Sequence, residues 1–350
     1  MSTPLISILI PAYNAECWIC DTIRSALAQT WPRKEIIIVD DGSRDQTFAL
    51  AQEFASQNVL VVTQENQGAA AARNRGLALS QGDYIQWLDA DDLLDPHKIA
   101  NQMAAADRSE SRRTLLSAAW GRFYYRVGKA NFVPTSLWSD LLPVEWLMAK
   151  MGQNLHMPPA TWLVSREISE AAGPWDARLS LDDDGEYFCR VILASDGIRF
   201  VPDAKVFYRA SGWGSLSTMD DSEEKLKSKF LSMELHIGYI RSLEDSERVR
   251  ASCLKYLQRR FLRFYPEHVV LVKQLQQMAA SLGGCLETPQ FSGKYSWIQK
   301  LFGWAAARTA RRSYNRMKSG VARFYDGMLL GIESLGSRAK RVRGSTIKVA

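Results

Sequence analysis

The sequence predicts an α/β fold: a mostly parallel sheet with helices on both faces, followed by a C-terminal helical region. Three observations carry this. Short β-branched runs alternate with helix-period segments over the first ninety residues. Those runs are continuously apolar, as strands buried on both faces are, rather than alternating. From about Glu223 the pattern turns helical and stays so.

Taken in order, Ile6 to Ile10 is a buried strand ending at Pro11. Asn14 is placed to cap the next helix, where Ile19, Ile23 and Leu27 recur at helical spacing. Glu35 to Val39 is a second strand, closed by Asp40-Asp41-Gly42-Ser43, and Phe48, Leu50, Ala51 and Phe54 suit a second helix. Val59 to Thr63 gives a third strand, Ala69 to Ser80 an alanine-rich helix, and Tyr84 to Leu88 a fourth strand. Further on, Trp162-Leu163-Val164 and Phe200-Val201 read as strands with a helix over Glu186 to Leu193 between them. Leu226, Phe230, Met233 and Ile240 share a helical stripe, further helices run through Leu282, and Gly283-Gly284 marks a break. The expected division is an α/β domain over residues 1–220 and a helical region over 221–350.

A chain of 350 residues, 46% apolar and 23% charged, has the balance of a folded globular protein. No secretory signal opens it, and no run is long and apolar enough to span a bilayer. The expected location is cytoplasmic, or at the inner face of the membrane. Five cysteines form no framework; Cys17 and Cys20 make a lone C-x-x-C, read as packing thiols rather than a redox or zinc pair.

Charge is unevenly placed. From residue 291 onward 13 Lys or Arg stand against Asp326 and Glu333, a net of +11, while the remainder nets −5. Trp297, Leu301, Trp304, Val321, Phe324, Met328, Ile332 and Leu335 recur there at helical steps among Arg308, Arg311, Arg312, Arg316, Lys318 and Arg323. Such a basic amphipathic segment suits peripheral membrane contact, packing on the rest of the chain, or an oligomer. No nucleic-acid motif accompanies it.

Four polar constellations could carry chemistry. Asp40-Asp41-Gly42-Ser43 sits at a strand end, where carboxylates can accept hydrogen bonds from a base or ribose. Arg73 and Asn74 lie one turn into the helix after Asn66-Gln67-Gly68, within reach of phosphate oxygens. Asp89-Ala90-Asp91 follows a strand directly, and in an extended segment its two carboxylates would share one side. Their mutual repulsion is offset by a hard cation carrying diphosphate oxygens. Asp182-Asp183-Asp184 opens a helix with more acid than capping requires, leaving one member to accept a proton from a hydroxyl.

These segments, with Ile6 through Asn14, Asp45, Arg75-Gly76, Glu186 and Arg190, resemble the family-2 inverting glycosyltransferases of GT-A fold in order and spacing. The resemblance covers roughly residues 5 to 215. It implies that Pro11, Tyr13, Asn14, Asp40 and Asp41 clasp the nucleotide, with Asp41 on a uracil-type base. It places Arg73 near the diphosphate, Asp89 at the ribose, and Asp91 on Mg²⁺ or Mn²⁺. Asp184 aligns with the general base, and Asp183 stands where the family has glutamate. The implied reaction moves a hexosyl or N-acetylhexosaminyl unit from a nucleoside-diphosphate sugar, UDP-linked by family tendency, to a glycan or lipid-linked acceptor in polysaccharide biosynthesis.

The chain departs from the family twice. No histidine follows Phe207-Tyr208-Arg209, where Ala210-Ser211-Gly212-Trp213-Gly214 stands instead, and Gly185 replaces the usual aromatic after the base, which would open the acceptor side. Two other readings use the same residues. A sugar nucleotidyltransferase would need a glycine-rich basic loop after strand one, and Pro11-Ala12-Tyr13-Asn14 is none. A catalytically inactive sugar-nucleotide-binding or interaction module would keep the acidic sets without turnover.

Overall fold

A computed structural model describes residues 3–108, 111–210, 222–291 and 293–345. The chain forms two compact units. One takes Met1–Gly121, Phe132–Tyr208 and Met219–Pro289; the other takes Arg122–Asn131, Arg209–Thr218 and Gln290–Ala350.

The elements run β1 (Ile6–Ala12), α1 (Ile19–Leu27), β2 (Lys34–Asp40), α2 (Thr47–Gln52), β3 (Val59–Thr63), α3 (Ala69–Leu79) and β4 (Tyr84–Trp87). There follow β5 (Leu93–Leu94), α4 (Lys98–Ala106), β6 (Thr114–Phe123), β7 (Asn131–Phe132), α5 (Pro143–Gln153), β8 (Val164–Ser165), α6 (Arg166–Ala172), α7 (Asp183–Leu193) and β9 (Gly197–Arg209). The chain closes with α8 (Glu223–Leu243), α9 (Glu247–Phe261), α10 (Val269–Ser281) and α11 (Gly293–Ser345).

The main sheet has the order β3-β2-β1-β4-β8. Its first four strands are parallel, and β8 runs antiparallel to β4. β1 is buried on both faces, and alternate residues feed two cores. Ile6, Ile8 and Ile10 pack with Ile36, Ile38 and the α1 residues Ile19 and Ile23. Leu9, Ile37 and Val39 join Ala70 and Ala72 of α3 on the other side. Gly76 lets α3 lie close, since a Cβ there would stand 3.6 Å from Val39 Cγ2. The register pairs Pro11 with Val39 and Ala12 with Asp40, so the loops after β1 and β2 leave the sheet side by side.

A second sheet has the order β5-β9-β6-β7. The helical stretch from α8 to α10 belongs to the same compact unit as the main sheet. α8 packs along α7, and α9 along α5. In the other unit α11 is broken at Gly303, whose φ of 81° lies outside the helical region. Among the described residues no helix is long and apolar enough to cross a membrane.

Three local expectations change. Asn14 does not cap α1: Trp18 holds that position without a side-chain bond, and Asn14 Oδ1 accepts the Arg44 amide at 2.9 Å. Asp89 to Asp92 form a turn rather than an extended segment, closed by the Asp92 amide on the Asp89 carbonyl at 3.1 Å. All five cysteines are unbridged, and of the two read as packing thiols Cys20 is half-buried while Cys17 is exposed.

Candidate active site

The strand ends of the main sheet gather the polar residues, as parallel sheets direct their ligand sites. At the end of β2 the adjacent aspartates divide their work. Asp41 is buried, and its carboxylate accepts from Gln64 Nε2 at 2.7 Å, the Gln67 amide at 3.0 Å and the Gly68 amide at 2.8 Å. It therefore anchors the loop over residues 64–68. Gly42, at φ 70°, is required beneath that loop, because a Cβ would come within 2.9 Å of the Asn66 nitrogen. Asp40 Oδ2 accepts from Thr63 Oγ1 at 2.9 Å, while its Oδ1 is buried without a hydrogen-bond partner. Tyr13, after β1, leaves 46% of its surface to solvent, and the Asn14 amide donates to Ser43 Oγ at 3.0 Å. Pro11 is the β1 residue paired with Val39, half-buried at the base of these loops.

The turn after β4 is held from α1. Thr22 Oγ1 donates to the Ala90 carbonyl at 2.9 Å and the Asp92 carbonyl at 3.0 Å, which keeps Asp89 and Asp91 on a short rigid arc. Asp89 and Asp183 then meet through Arg73. The guanidinium, itself buried, donates from Nη2 to Asp89 at 2.8 Å and from Nη1 to Asp183 at 2.6 Å. It lies 4.4 Å from the Trp175 ring, which stacks on Tyr187 at 4.1 Å. Asn74 fixes this layer by exchanging two hydrogen bonds with the Trp175 backbone, at 2.9 and 2.7 Å. Arg73, expected at the diphosphate, is thus a clamp between the turn after β4 and the start of α7.

The remaining carboxylates act on Tyr208 of β9. Burial, and then the negative charges of Asp92, Asp91, Asp89 and Asp184, hold the proton on the Tyr208 hydroxyl. The turn after β4, Asp184 and Tyr208 therefore share one electrostatic neighbourhood. Asp183 is pushed up to about 6 by burial, with Asp184 and Asp89 adding to the shift and Arg73 opposing it. Asp184 Oδ1 accepts the Gly185 amide at 2.7 Å.

The first member of the acidic run faces away. Asp182 adopts φ 67° and binds Lys229 of α8 at 2.6 Å and Ser232 Oγ at 2.8 Å. Its carboxylate and His236 fill the space beside Gly185, where a Cβ would lie 2.7 Å from Asp182 Oδ1 and 3.3 Å from His236 Cε1. Gly185 makes room for this internal packing against α8. Glu186, also buried, takes Arg190 in a bidentate pair at 2.7 and 2.8 Å, and Tyr239 of α8 at 2.7 Å.

A divalent cation fits the chemistry of this donor set. The oxygens offered are carboxylates, the ligands Mg²⁺ and Mn²⁺ prefer. Among the described residues no three His, Cys, Asp or Glu side chains stand close enough to hold an ion alone.

Sequence reading missed Trp175, Gln64, Lys229 and the part Tyr208 plays. Only Trp175 left a signal, the Gly173-Pro174-Trp175 turn just before the acidic run. Ser211 to Gly214, where the family histidine is lacking, lie outside the described residues.

A mostly parallel sheet between two helical layers, with aspartates at the C-terminal ends of β2 and just after β4, has the arrangement of a GT-A domain. A sequence profile for glycosyl transferase family 2 matches residues 7–171, so this part of the chain is similar to that family. A glycosyltransferase of Haemophilus influenzae is 43% identical over 106 residues, covering 29% of this chain and 42% of its own length. The putative teichuronic acid biosynthesis glycosyltransferase TuaG of Bacillus subtilis is 42% identical over 103 residues, covering 29% of this chain and 41% of its own. The chain thus spans about two fifths of the length of these relatives. Among solved structures, S. aureus TarS 1-349 in complex with UDP-GlcNAc superposes with a TM-score of 0.64 at 19% identity, over 79% of this chain and 81% of that one.

Proposed function

We propose that the protein is an inverting glycosyltransferase. It moves a hexosyl or N-acetylhexosaminyl unit from a UDP-linked sugar to a hydroxyl of a glycan or lipid-linked acceptor, in cell-surface polysaccharide synthesis at the inner face of a membrane. The observation that carries this reading is the Arg73 bridge, which ties Asp89, in the turn that also carries Asp91, to Asp183, the neighbour of Asp184, at the ends of parallel strands.

Tyr13 and the 64–68 loop held by Asp41 wall the base, and Asp89 lies on the ribose side. Asp91, with Asp89 beside it, would hold Mg²⁺ or Mn²⁺. When bound, the ion neutralises charge developing on the departing diphosphate. Asp184 accepts the proton from the acceptor hydroxyl as that oxygen bonds to the anomeric carbon and the bond to diphosphate breaks. One displacement from the opposite face inverts the anomeric centre. Asp183 and Arg73 tie the donor side to the base so that the two halves keep their spacing, since small misplacements cost rate.

The test is turnover by folded variants. Asp184→Asn lowers acceptor-dependent nucleotide release by roughly 10²–10⁴-fold while donor binding, read by calorimetry, persists. Asp91→Ala loses metal-dependent donor binding itself. Wild-type transfer by either variant would overturn the reading, as would a product that retains the anomeric configuration.

A further inference from the structure

We propose that α11 carries a membrane-docking face: the exposed stripe of Met317, Val321, Phe324, Tyr325, Met328 and Ile332, bordered by cations, lies on an anionic lipid surface. The inference concerns the second compact unit alone and does not depend on the sugar-transfer reaction.

At 100° per residue these six side chains fall within one third of the helix circumference. All are exposed, Val321 at 64% and Phe324 at 76%. A contiguous row of large apolar groups in water is a recognition surface rather than scattered surface Leu or Val. The other side of the same helix is already used. Asp326 accepts from the Tyr125 amide at 2.9 Å, the Arg126 amide at 3.1 Å and Arg126 Nε at 2.8 Å, and Glu333 takes Arg126 Nη1 at 2.8 Å. Those contacts fix the rotation of the helix, so the apolar row faces outward as a property of the fold.

Charge decides the occupant. Between residues 291 and 325 there are eight Lys or Arg and no Asp or Glu. Arg311 and Lys318 border the stripe. A second copy of this helix would offer those cations no counter-charge, because the nearby acids Asp326 and Glu333 lie on the far side in pairs with Arg126. Nucleic acid would meet the cations and leave the apolar row in water. An anionic bilayer interface meets both, taking apolar groups at the acyl boundary and cations over headgroups. Phe324 and Tyr325 at the centre suit that depth.

The experiment is co-sedimentation of the full chain with phosphatidylcholine vesicles, pure or containing roughly 30 mol % phosphatidylglycerol, at about 0.1 M salt. Wild type binds the anionic vesicles at least about ten-fold more strongly than the neutral ones. Val321→Glu with Phe324→Glu lowers that binding about ten-fold or more, and Arg311→Glu with Lys318→Glu lowers it about five-fold per charge reversed or beyond. Circular dichroism of each variant matches wild type, as expected of exposed positions. Equal binding to both vesicles, no binding, or variants that bind like wild type would overturn the proposal. So would light scattering showing a dimer that Val321→Glu with Phe324→Glu dissociates, which assigns the stripe to a second copy.

Discussion

Asp182 and Asp183 are neighbours with similar side-chain exposure, 18% and 15%, yet the fold gives them opposite conditions. Asp182 turns toward α8. Burial there would raise its pKa, and Lys229, foremost among the surrounding cations, holds it well below the usual carboxylate range. Asp183 turns toward the strand ends, shares the single guanidinium of Arg73 with Asp89, and is pushed up to about 6. The difference is the local count of charge. A carboxylate with cations in excess is an anchor that stays ionised; one that shares a cation with other carboxylates is poised to titrate and to answer a ligand.

Removing the excess cation is the harshest way to break this contrast. Lys229→Met leaves Asp182 charged and buried against α8, and costs about 3–5 kcal/mol. Pairing it with Asp182→Asn recovers most of that loss, since the unpaired charge and not the missing lysine is the burden. Chemical denaturation of the two singles and the double measures the coupling. Additive losses would mean that the pair is incidental.

A methyl group placed into the anchor is the next largest test. Gly185→Ala sets a Cβ 2.7 Å from Asp182 Oδ1, so the carboxylate or the start of α7 must shift. The expected destabilisation is about 1–3 kcal/mol. Turnover falls as well, because Asp184 is carried on the same turn. A Gly185→Ala protein that keeps wild-type stability while accepting bulkier acceptors would restore the view that this glycine opens the acceptor side.

The poised side is sharpened by pH. Asp183 must ionise for the Arg73 clamp to hold at full strength, so kcat/KM rises with pH through an acidic limb near 6. Arg73→Met leaves no clamp for an ionised Asp183 to hold, so the acidic limb is lost and the rate is lower across the whole pH range. Asp183→Asn removes the limb. A profile that stays put in both variants assigns the titration elsewhere.

The same contrast explains what could be read from sequence. The sheet was legible because Ile6 to Ile10 and Glu35 to Val39 are continuous apolar runs, each with its turn chemistry at the end. The aspartates at the strand ends were legible as candidates because a parallel sheet directs its site there. The acidic run at 182–184 was legible as a site, but its division was not. Which aspartate faces which side depends on a left-handed backbone at Asp182 and on a lysine 47 positions later in a helix of unexceptional pattern. Arg73 was placed at the diphosphate because guanidinium groups suit phosphate. The Trp175 ring and Asp183 that hold it come from a turn 100 or more residues away. β6 escaped notice because its Ser117-Ala118-Ala119 centre carries little strand preference, and its burial is decided by tertiary packing.

The mildest test asks whether an anchor needs a cation at all, or only hydrogen-bond donors. Asp326 in the second unit resembles Asp182 in being held below the usual carboxylate range. Burial opposes the shift there too, and the Tyr125 amide, the Arg126 side chain and the Arg126 amide override it. Two of those three donors are backbone amides. If amides suffice, Asp326→Asn keeps an acceptor for the Tyr125 and Arg126 amides and leaves their exchange with solvent nearly unchanged. Asp326→Ala removes it, and each amide then exchanges about five-fold faster, the equivalent of about 1 kcal/mol per bond. Hydrogen exchange at Tyr125 and Arg126 reads this directly. Equal acceleration in both variants would show that the charge, and not the hydrogen-bond geometry, holds the 122–131 segment. Asp326 would then be an anchor of the Asp182 kind, dependent on the cation opposite it.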